Sequence, residues 1–354
     1  MGMTLAQLAA EKQNEYKDEI ILANVNGKLK ELGEEYIPDS DVTFVTTSTS
    51  IGNETYRRSV VLLMLAAIDK IDRNIDRVVV EYSLSKGLYC TFDGDFRPDK
   101  EFIDEVKSVM HSMVEKDLPI KKELMKISDA MNLFKEKGMT DKTSLFKYRR
   151  SSFVNVYDLN GYKDYFYGYM ASSTGMLGVF DIFLYDEGIV LQLPVKNAPL
   201  EVPEFNPQTK LFNVLKESTS WAKMLGMSTV GELNDHITNG DMTSFMLTQE
   251  ALQEQKIVEI VDEIKKRPHT KFIMIAGPSS SGKTTFAKRL ELQLKLNGLK
   301  PVTISVDNYF VEREETPLDE DGNYDFESIN AIDTKLLNQD LVKLLNGEEI
   351  EAPT

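Results

Sequence analysis

The sequence predicts a protein of several domains, in which an α+β region is followed by the start of an α/β unit with a parallel sheet. Three observations lead to this fold class. A chain of 354 residues corresponds to two or three domains of about 100–200 residues each. Residues 48–200 mix helical periodicity with short strand-like segments. Residues 269–354 alternate strand, loop, helix and strand, which is the order of a right-handed βαβ unit.

Charge and rare residue types narrow the class of function. The chain has 41 basic and 57 acidic residues, a net charge of −16, which disfavours generic binding to nucleic acid or anionic membranes. The single cysteine, Cys90, excludes an internal disulfide and a cysteine-based zinc finger, and the three histidines lie far apart. The apolar run 60–68 is much shorter than the ~20 residues of a membrane helix. We therefore expect a cytoplasmic enzyme or regulatory protein without a membrane partner.

Residues 1–47 predict a small unit of one helix and one hairpin. Apolar residues at helical spacing favour a helix over residues 4–16. Strands over residues 20–25 and 28–32 flank the dipeptide Asn26-Gly27, which is a strong β-hairpin signal.

Residues 48–200 predict one α+β domain. Helices are expected over residues 55–71, 99–115 and 121–137. Strands are expected over residues 78–83, 88–92, 153–159, 165–170, 177–185 and 188–193. Prolines at positions 194, 199, 203 and 207 end the domain.

Residues 201–268 predict a helical connector, and residues 269–354 predict the α/β unit. In the connector, Ile257, Ile260, Val261 and Ile264 follow the spacing of a buried helical stripe, and Pro268 ends that helix. In the unit, strands are expected over residues 272–276 and 302–306. A helix is expected over residues 283–297, with Phe286, Ala287, Leu290 and Leu294 on one face.

The loop between the first strand and this helix carries the strongest chemical signal. Residues 277–284 read G-P-S-S-S-G-K-T and fit the pattern G-x-x-x-x-G-K-[S/T]. In this pattern backbone N–H groups and a helix N-terminus cradle phosphates, the lysine reaches the β- and γ-phosphates, and the hydroxyl binds Mg²⁺. The candidate ATP-binding residues are Gly277, Ser279, Ser280, Ser281, Gly282, Lys283, Thr284 and Thr285.

Asp307 is the second candidate. It directly follows the predicted strand 302–306, so it is expected at the sheet edge where open α/β sheets bind ligands. A carboxylate there can hold Mg²⁺ through water or accept the proton of an attacking hydroxyl. The alternative is an ordinary solvated aspartate at a strand end. The acidic run in residues 312–321 is expected to be a solvated loop.

Several spaced motifs after residue 271 resemble the uridine kinase and phosphoribulokinase family. They read D-N-Y-F at 307–310, N-Y-D-F-E at 323–327, N-A-I-D at 330–333 and L-L-N-G at 344–347, in that order. The resemblance implies that Asp307 lies at the acceptor hydroxyl and the metal, and that Tyr309 contacts the nucleoside. It also implies that Glu327 accepts hydrogen bonds from the ribose. Uridine kinases usually have His-Pro after that position, whereas this chain has Ser328-Ile329, so the acceptor is less well defined than the phosphoryl donor.

Residues 1–195 resemble threonyl-tRNA synthetases. The row D-Y-F-Y-G-Y-M-A-S-S-T-G at 164–175 is similar to a segment of their editing domain, and residues 1–47 are similar to part of the preceding TGS domain. Editing needs two helix histidines plus a Cys and a His in that segment. Here those last two positions hold Phe166 and Met170, and residues 1–110 contain no histidine. The resemblance therefore implies the editing fold without the editing activity.

Together the two resemblances point to fused bacterial nucleoside kinases, which are longer than this chain. We therefore expect a truncated chain that is inactive alone. The intact enzyme would transfer phosphate from ATP to the 5′-hydroxyl of a nucleoside such as uridine or cytidine, with Lys283 and Asp307 as catalytic residues and Mg²⁺ as cofactor. The alternative is a nucleotide-sensing regulator whose front half binds tRNA or another ligand. The sequence does not exclude a tRNA-like ligand, and it does not decide whether the chain forms a homo-oligomer.

Overall fold

The computed structural model describes residues 2–71, 73–319 and 322–353. By internal contacts the chain separates into two compact units, residues 1–240 and 241–354, with the boundary inside the predicted connector. The described residues form three antiparallel sheets, with strand orders β2-β1-β3, β4-β5-β10-β9 and β6-β7-β8. All three sheets belong to the first unit, so each unit is described separately below.

The N-terminal part of the first unit is a helix packed on a three-stranded sheet. Helix α1 is Leu5–Lys12, and the Thr4 side chain caps it together with Gln7. The strands are β1 (Ile20–Val25), β2 (Lys28–Glu31) and β3 (Val42–Thr46). The hairpin prediction is confirmed, because Asn26 and Gly27 have φ of 52° and 79°, as its tight turn requires. The sequence reading missed β3, which pairs with β1 on the opposite side from β2.

The central part of the first unit packs helices against a four-stranded sheet. The helices are α2 (Ser50–Ile71) and α3 (Lys100–Glu115). The strands are β4 (Val78–Leu84), β5 (Gly87–Phe92), β9 (Asp181–Tyr185) and β10 (Gly188–Gln192). Helix α2 begins five residues before its predicted start and is buried on most sides, from Tyr56 to Ile68. The main core therefore lies around α2.

A second group of elements corrects one prediction. Residues 121–137, expected as one helix, form the strand β6 (Ile120–Lys126) followed by helix α4 (Ile127–Glu136). Every residue of β6 pairs with β7 (Phe153–Leu159), in an antiparallel register that runs from Ile120 opposite Leu159 to Lys126 opposite Phe153. Lysines on an exposed edge strand discourage pairing with other chains. Local periodicity could not reveal this pairing, because the partner strand lies about 30 residues away.

The remaining elements of the first unit are short. The strand predicted over 165–170 is wrong, because strand β8 (Tyr162–Tyr165) shares only Tyr165 with it. Gly168, within the predicted range, has a φ of 121°. Helix α5 (Thr140–Lys147) was not predicted. Helices α6 (Thr209–Met224) and α7 (Val230–Asn239) agree with the predicted helical connector. Gly231 of α7 lies so close to α5 that an added Cβ would be 2.4 Å from the Cβ of Ser144.

The second unit contains α8 (Met242–Lys265), α9 (Lys283–Leu296) and α10 (Thr334–Leu345). Ile257 and Val261 of α8 pack against Leu290 and Leu294 of α9. One prediction for the helix faces is wrong, because Ile260, expected in the buried stripe, is 38% exposed.

The predicted parallel sheet is not formed in the described residues of this second unit. Residues 272–276 and 302–306 have no strand assignment, and the Met274 side chain is 93% exposed. A strand requires a hydrogen-bonded neighbour, and the described pairings after residue 241 are isolated bridges such as Phe310 with Ile332. An apolar run can therefore predict a strand that has no partner in this structure.

Candidate nucleotide-binding loop and the synthetase-like segment

The loop at residues 277–284 leads directly into α9. Gly282 is the N-cap residue of this helix and has a φ of 86°, a left-handed conformation that glycine adopts without steric cost. Ser280 also has a positive φ, of 57°. These two residues turn the chain so that Lys283 becomes the first residue of α9, where the free N–H groups of the helix give a positive electrostatic potential.

The side chain of Lys283 folds back over the loop. Its Nζ atom donates hydrogen bonds to the carbonyl oxygen of Gly277 at 2.9 Å and to that of Pro278 at 3.1 Å. The loop is therefore wrapped around an ammonium group at a helix N-terminus. This arrangement suits an anion such as a phosphate, since both the cation and the helix end attract negative charge.

The loop is tightly packed on one side and open on the other. A Cβ added to Gly277 would lie 2.7 Å from the Ser281 Oγ atom, so any larger residue there would displace the Ser281 side chain. The outer side borders a shallow pocket of about 480 Å³, lined partly by Ser281, Lys283 and Thr285. The remaining candidate hydroxyls, on Ser279, Ser280 and Thr284, are also exposed. The predicted ATP-binding residues thus form one continuous surface.

Asp307 and Glu327 lie outside this surface. Asp307 is exposed in the short 3₁₀ turn Val306–Tyr309. Glu327 is also exposed, and its backbone N–H donates to the Asp325 Oδ1 atom at 3.1 Å. In the described part of the chain, no hydrogen bond or ion pair links either carboxylate to the loop. Their predicted roles at the acceptor hydroxyl and the ribose remain predictions.

Tyr309 has a different environment from the one the family resemblance implies. Its side chain is 1% exposed, and its hydroxyl donates to the Asp340 Oδ2 atom at 3.1 Å. Burial and then the hydrogen bond to Asp340 raise the pKa of Tyr309 above its ordinary value. In this structure the ring belongs to the packing between the 306–309 turn and α10, and it is not open to a nucleoside.

The described part of the acidic run, residues 312–319, forms a largely solvent-exposed loop, as predicted. Glu312, Glu314 and Glu315 are exposed around the turn Arg313–Glu315. Glu320 and Asp321 of the same run lie outside the described residues.

In the first unit, the segment 164–175 is held by polar side chains from distant parts of the chain. Glu31 is 6% exposed, and its carboxylate accepts hydrogen bonds from the Tyr157 hydroxyl at 2.6 Å and the Met170 N–H at 2.9 Å. The Ser59 Oγ atom accepts from the Ala171 N–H at 2.8 Å. Arg58 donates to the Tyr169 carbonyl oxygen at 2.6 Å. Only the three-dimensional structure brings these residues together.

Phe166 and Met170 occupy the positions where editing domains have Cys and His. Both are apolar residues, and both lie in apolar surroundings. Met170 is 1% exposed, and Phe166 packs against the main core. Among the described residues, no group of three or more His, Cys, Asp or Glu side chains is placed to bind a metal ion. This segment therefore has the packing of a structural element.

Comparison with known proteins connects the loop to a kinase domain. Residues 272–354 match the Phosphoribulokinase / Uridine kinase family. Over 88 residues the chain is also 31% identical to a uridine kinase of Aliivibrio salmonicida, which covers 24% of this chain and 41% of that kinase. The resemblance of the C-terminal region to the Phosphoribulokinase / Uridine kinase family is therefore confirmed for residues 272–354.

The N-terminal half matches threonine–tRNA ligases. It is 24% identical to that of Clostridium novyi over 164 residues, which is 46% of this chain and 26% of the ligase. It is 27% identical to that of Acidithiobacillus ferrooxidans over 165 residues, again 46% of this chain and 25% of the ligase. The chain thus spans about a quarter of these ligases and about two fifths of the uridine kinase. A search of the described helices found none with the length and apolarity needed to span a membrane.

Proposed function

We propose that this chain carries the phosphate-donor site of an ATP-dependent kinase that phosphorylates a hydroxyl group of a nucleoside. The observation that carries the proposal is the position of Lys283. Its ammonium lies over the loop carbonyls at the first residue of α9, inside the region that matches the kinase family.

The residues of the loop suit the triphosphate of ATP. Its backbone N–H groups and the N-terminus of α9 would hold the phosphate oxygens, and Lys283 would leave the carbonyls of Gly277 and Pro278 to pair with the β- and γ-phosphates. Catalysis of phosphoryl transfer consists mainly of positioning and charge stabilisation. A loop whose carbonyls already hold the Lys283 ammonium next to a helix N-terminus suits both requirements.

The donor atoms present also suit Mg²⁺. This ion prefers oxygen ligands and usually keeps several waters, with one or two protein oxygens and the substrate phosphates completing its shell. The Thr284 hydroxyl and the Asp307 carboxylate are exposed oxygen donors and would hold the ion. When bound, Mg²⁺ would neutralise charge on the phosphates.

Asp307 would act on the acceptor. In the transfer, the nucleoside oxygen forms a bond to the γ-phosphorus atom while the bond from that atom to the β–γ bridging oxygen breaks. The proton of the attacking hydroxyl would pass to the Asp307 carboxylate. The similarity to a uridine kinase supports uridine or cytidine as the acceptor, and the exposed Glu327 is the carboxylate proposed for its ribose.

Calorimetric titration of the chain with Mg²⁺ and ATP tests the phosphate-donor site. We expect saturable binding that weakens at least about tenfold in Lys283→Ala, since a charge-assisted contact to phosphate is lost. Lys288→Ala is the matched control, because Lys288 is an exposed lysine farther along α9. Equal affinity of the wild type and Lys283→Ala would overturn the proposal.

A nucleoside panel tests the acceptor. The protein is incubated with Mg²⁺, ATP and each of several nucleosides, and the 5′-phosphorylated product is separated and quantified. We expect the wild type to form product from uridine or cytidine. Lys283→Ala should form none, although its circular dichroism spectrum should match that of the wild type. ATP binding without transfer to any nucleoside would contradict the kinase assignment.

A further inference from the structure

Helix α8 lies before the residues that match the kinase family, which begin at 272. It nevertheless packs along α9. Ile257 and Val261, one helical turn apart, are 1% and 0% exposed, and they contact Leu290 and Leu294. These four side chains form the core of the second unit. The helix that carries Lys283 therefore rests on an element from outside the family-matched region.

A polar contact fixes how the two helices are aligned. The Glu254 carboxylate of α8 accepts from the Arg289 NH1 atom at 2.9 Å through Oε1 and from the Gln293 Nε2 atom at 3.3 Å through Oε2. Arg289 and Gln293 are four residues apart, so they lie on one face of α9. Because the Glu254 carboxylate bonds to two consecutive turns of α9, it restricts both the rotation and the sliding of α9 against α8.

The apolar core between α8 and α9 also reaches both sides of the loop. Ile275, two residues before Gly277, and Phe286, three residues after Lys283, pack against the cluster that Ile257 and Val261 form with Leu290 and Leu294. Gln253, the neighbour of Glu254, lines the pocket that borders Ser281 and Lys283. The two ends of the phosphate-binding loop thus border the apolar core that α8 and α9 share.

We infer that Glu254 is a positioning residue for the phosphate-binding loop and acts through Arg289 and Gln293 on the start of α9. The inference rests on the proposed function, since it assigns a role in the same nucleotide site. The contact is too exposed to contribute much to folding, with Glu254 and Arg289 side chains 40% and 31% exposed, and ion pairs of this kind add little stability. Its effect is on the placement of Lys283.

Three variants test this inference in the full chain. Glu254→Ala removes the contact. Glu263→Ala is the matched control, because Glu263 is on the same helix and its ion pairs in the described chain are with Lys266 and Arg267, just after the end of that helix. The double variant Glu254→Arg with Arg289→Glu exchanges the charges and restores an ion pair at the same place. Both single alanine variants change the net charge equally, so a general electrostatic effect is controlled.

The first measurement is the affinity for Mg²⁺ and ATP by calorimetry. We expect Glu254→Ala to bind about fivefold more weakly, the size of a typical coupling between contacting residues. Glu263→Ala should bind like the wild type, the charge exchange should recover most of the affinity, and the melting temperatures of all three should match the wild type. Wild-type affinity in Glu254→Ala, or a loss shared by Glu263→Ala, would overturn the inference.

The second measurement does not depend on ATP. Amide hydrogen exchange reports local opening, and we expect Glu254→Ala to exchange faster over residues 277–289 while Glu263→Ala does not. If the wild type binds no ATP but this exchange pattern is found, the proposed function fails and the positioning contact stands. If ATP binds and the exchange is unchanged in Glu254→Ala, the proposed function stands and the inference fails.

Discussion

The ammonium nitrogen of Lys283 lies 2.9 Å from the carbonyl oxygen of Gly277, six residues earlier in the chain. This contact closes the loop around a cation, and Gly282 makes it possible by adopting a φ of 86° immediately before the helix. The chemistry of the site therefore depends on backbone conformations as much as on the lysine itself.

Replacing Gly282 tests this dependence. Gly282→Ala puts a Cβ at a left-handed position, which costs about 1–2 kcal/mol, so the start of α9 should shift and binding of ATP with Mg²⁺ should weaken. Asparagine tolerates this conformation better than alanine. We therefore expect Gly282→Asn to retain more affinity than Gly282→Ala by calorimetry, and the reverse order would contradict the role of the backbone.

Replacing Tyr309 separates a structural role from a substrate contact. Tyr309→Phe removes the hydrogen bond to the Oδ2 atom of the 3% exposed Asp340, whose other oxygen pairs with Lys343 at 3.6 Å. The loss of a buried hydrogen-bond partner costs about 1–3 kcal/mol. We expect a lower free energy of unfolding in urea and an unchanged KM for the nucleoside. Tyr324→Phe is the control, since Tyr324 is 40% exposed. A changed KM at unchanged stability would support the contact that the family resemblance implies.

Glu31 offers a test of the synthetase-like segment. Glu31→Ala leaves the buried Met170 N–H without its acceptor, while the Tyr157 hydroxyl keeps the Gly168 carbonyl oxygen at 3.1 Å as a second acceptor. We expect a loss of about 2 kcal/mol in unfolding free energy. Glu34→Ala removes a carboxylate that pairs near the surface with Lys30, and it should change stability by about 0.5 kcal/mol at most. Similar losses in the two variants would show that the buried hydrogen bonds are unimportant.

The buried tyrosines predict a loss of stability in alkaline solution. Burial is the main cause that raises the pKa of Tyr56, Tyr157 and Tyr162 in the folded chain. The unfolded chain releases these protons near pH 10 while the folded chain still holds them. Stability is therefore full below about pH 10 and falls as the pH rises further. Urea midpoints by circular dichroism at pH 8, 10 and 11 measure this, and a constant midpoint would contradict it.

Local sequence patterns correctly predicted the secondary-structure elements that are determined by neighbouring residues. The hairpin at Asn26-Gly27 and the start of α9 after Gly282 both follow from glycine conformations and short-range turns. The loop motif could be read for the same reason, since all its atoms come from one segment. The apolar stripe of α8 also follows from local spacing. Glu254 lies three residues before Ile257 and so on the same face of α8, and this spacing could have indicated that its carboxylate faces the partner helix.

Non-local pairing explains the failures. Residues 120–126 form a strand because β7 is available to pair with them, although their own pattern favours a helix. Residues 272–276 have the composition of a strand, yet no strand of the described chain pairs with them. A β-strand forms only when a second segment is in place to hydrogen-bond with it. The sequence of one segment shows its own preference for a strand but does not identify its partner.

The sequence by itself determined the phosphate-binding loop, its lysine, the kinase resemblance and the loss of the editing residues at Phe166 and Met170. These follow from residue identity and short-range spacing. Only the tertiary structure decided that Tyr309 is buried against Asp340, that Glu31 holds Met170, and that Glu254 aligns α9. Burial and long-range hydrogen bonds depend on which segments meet, and that is a property of the folded chain.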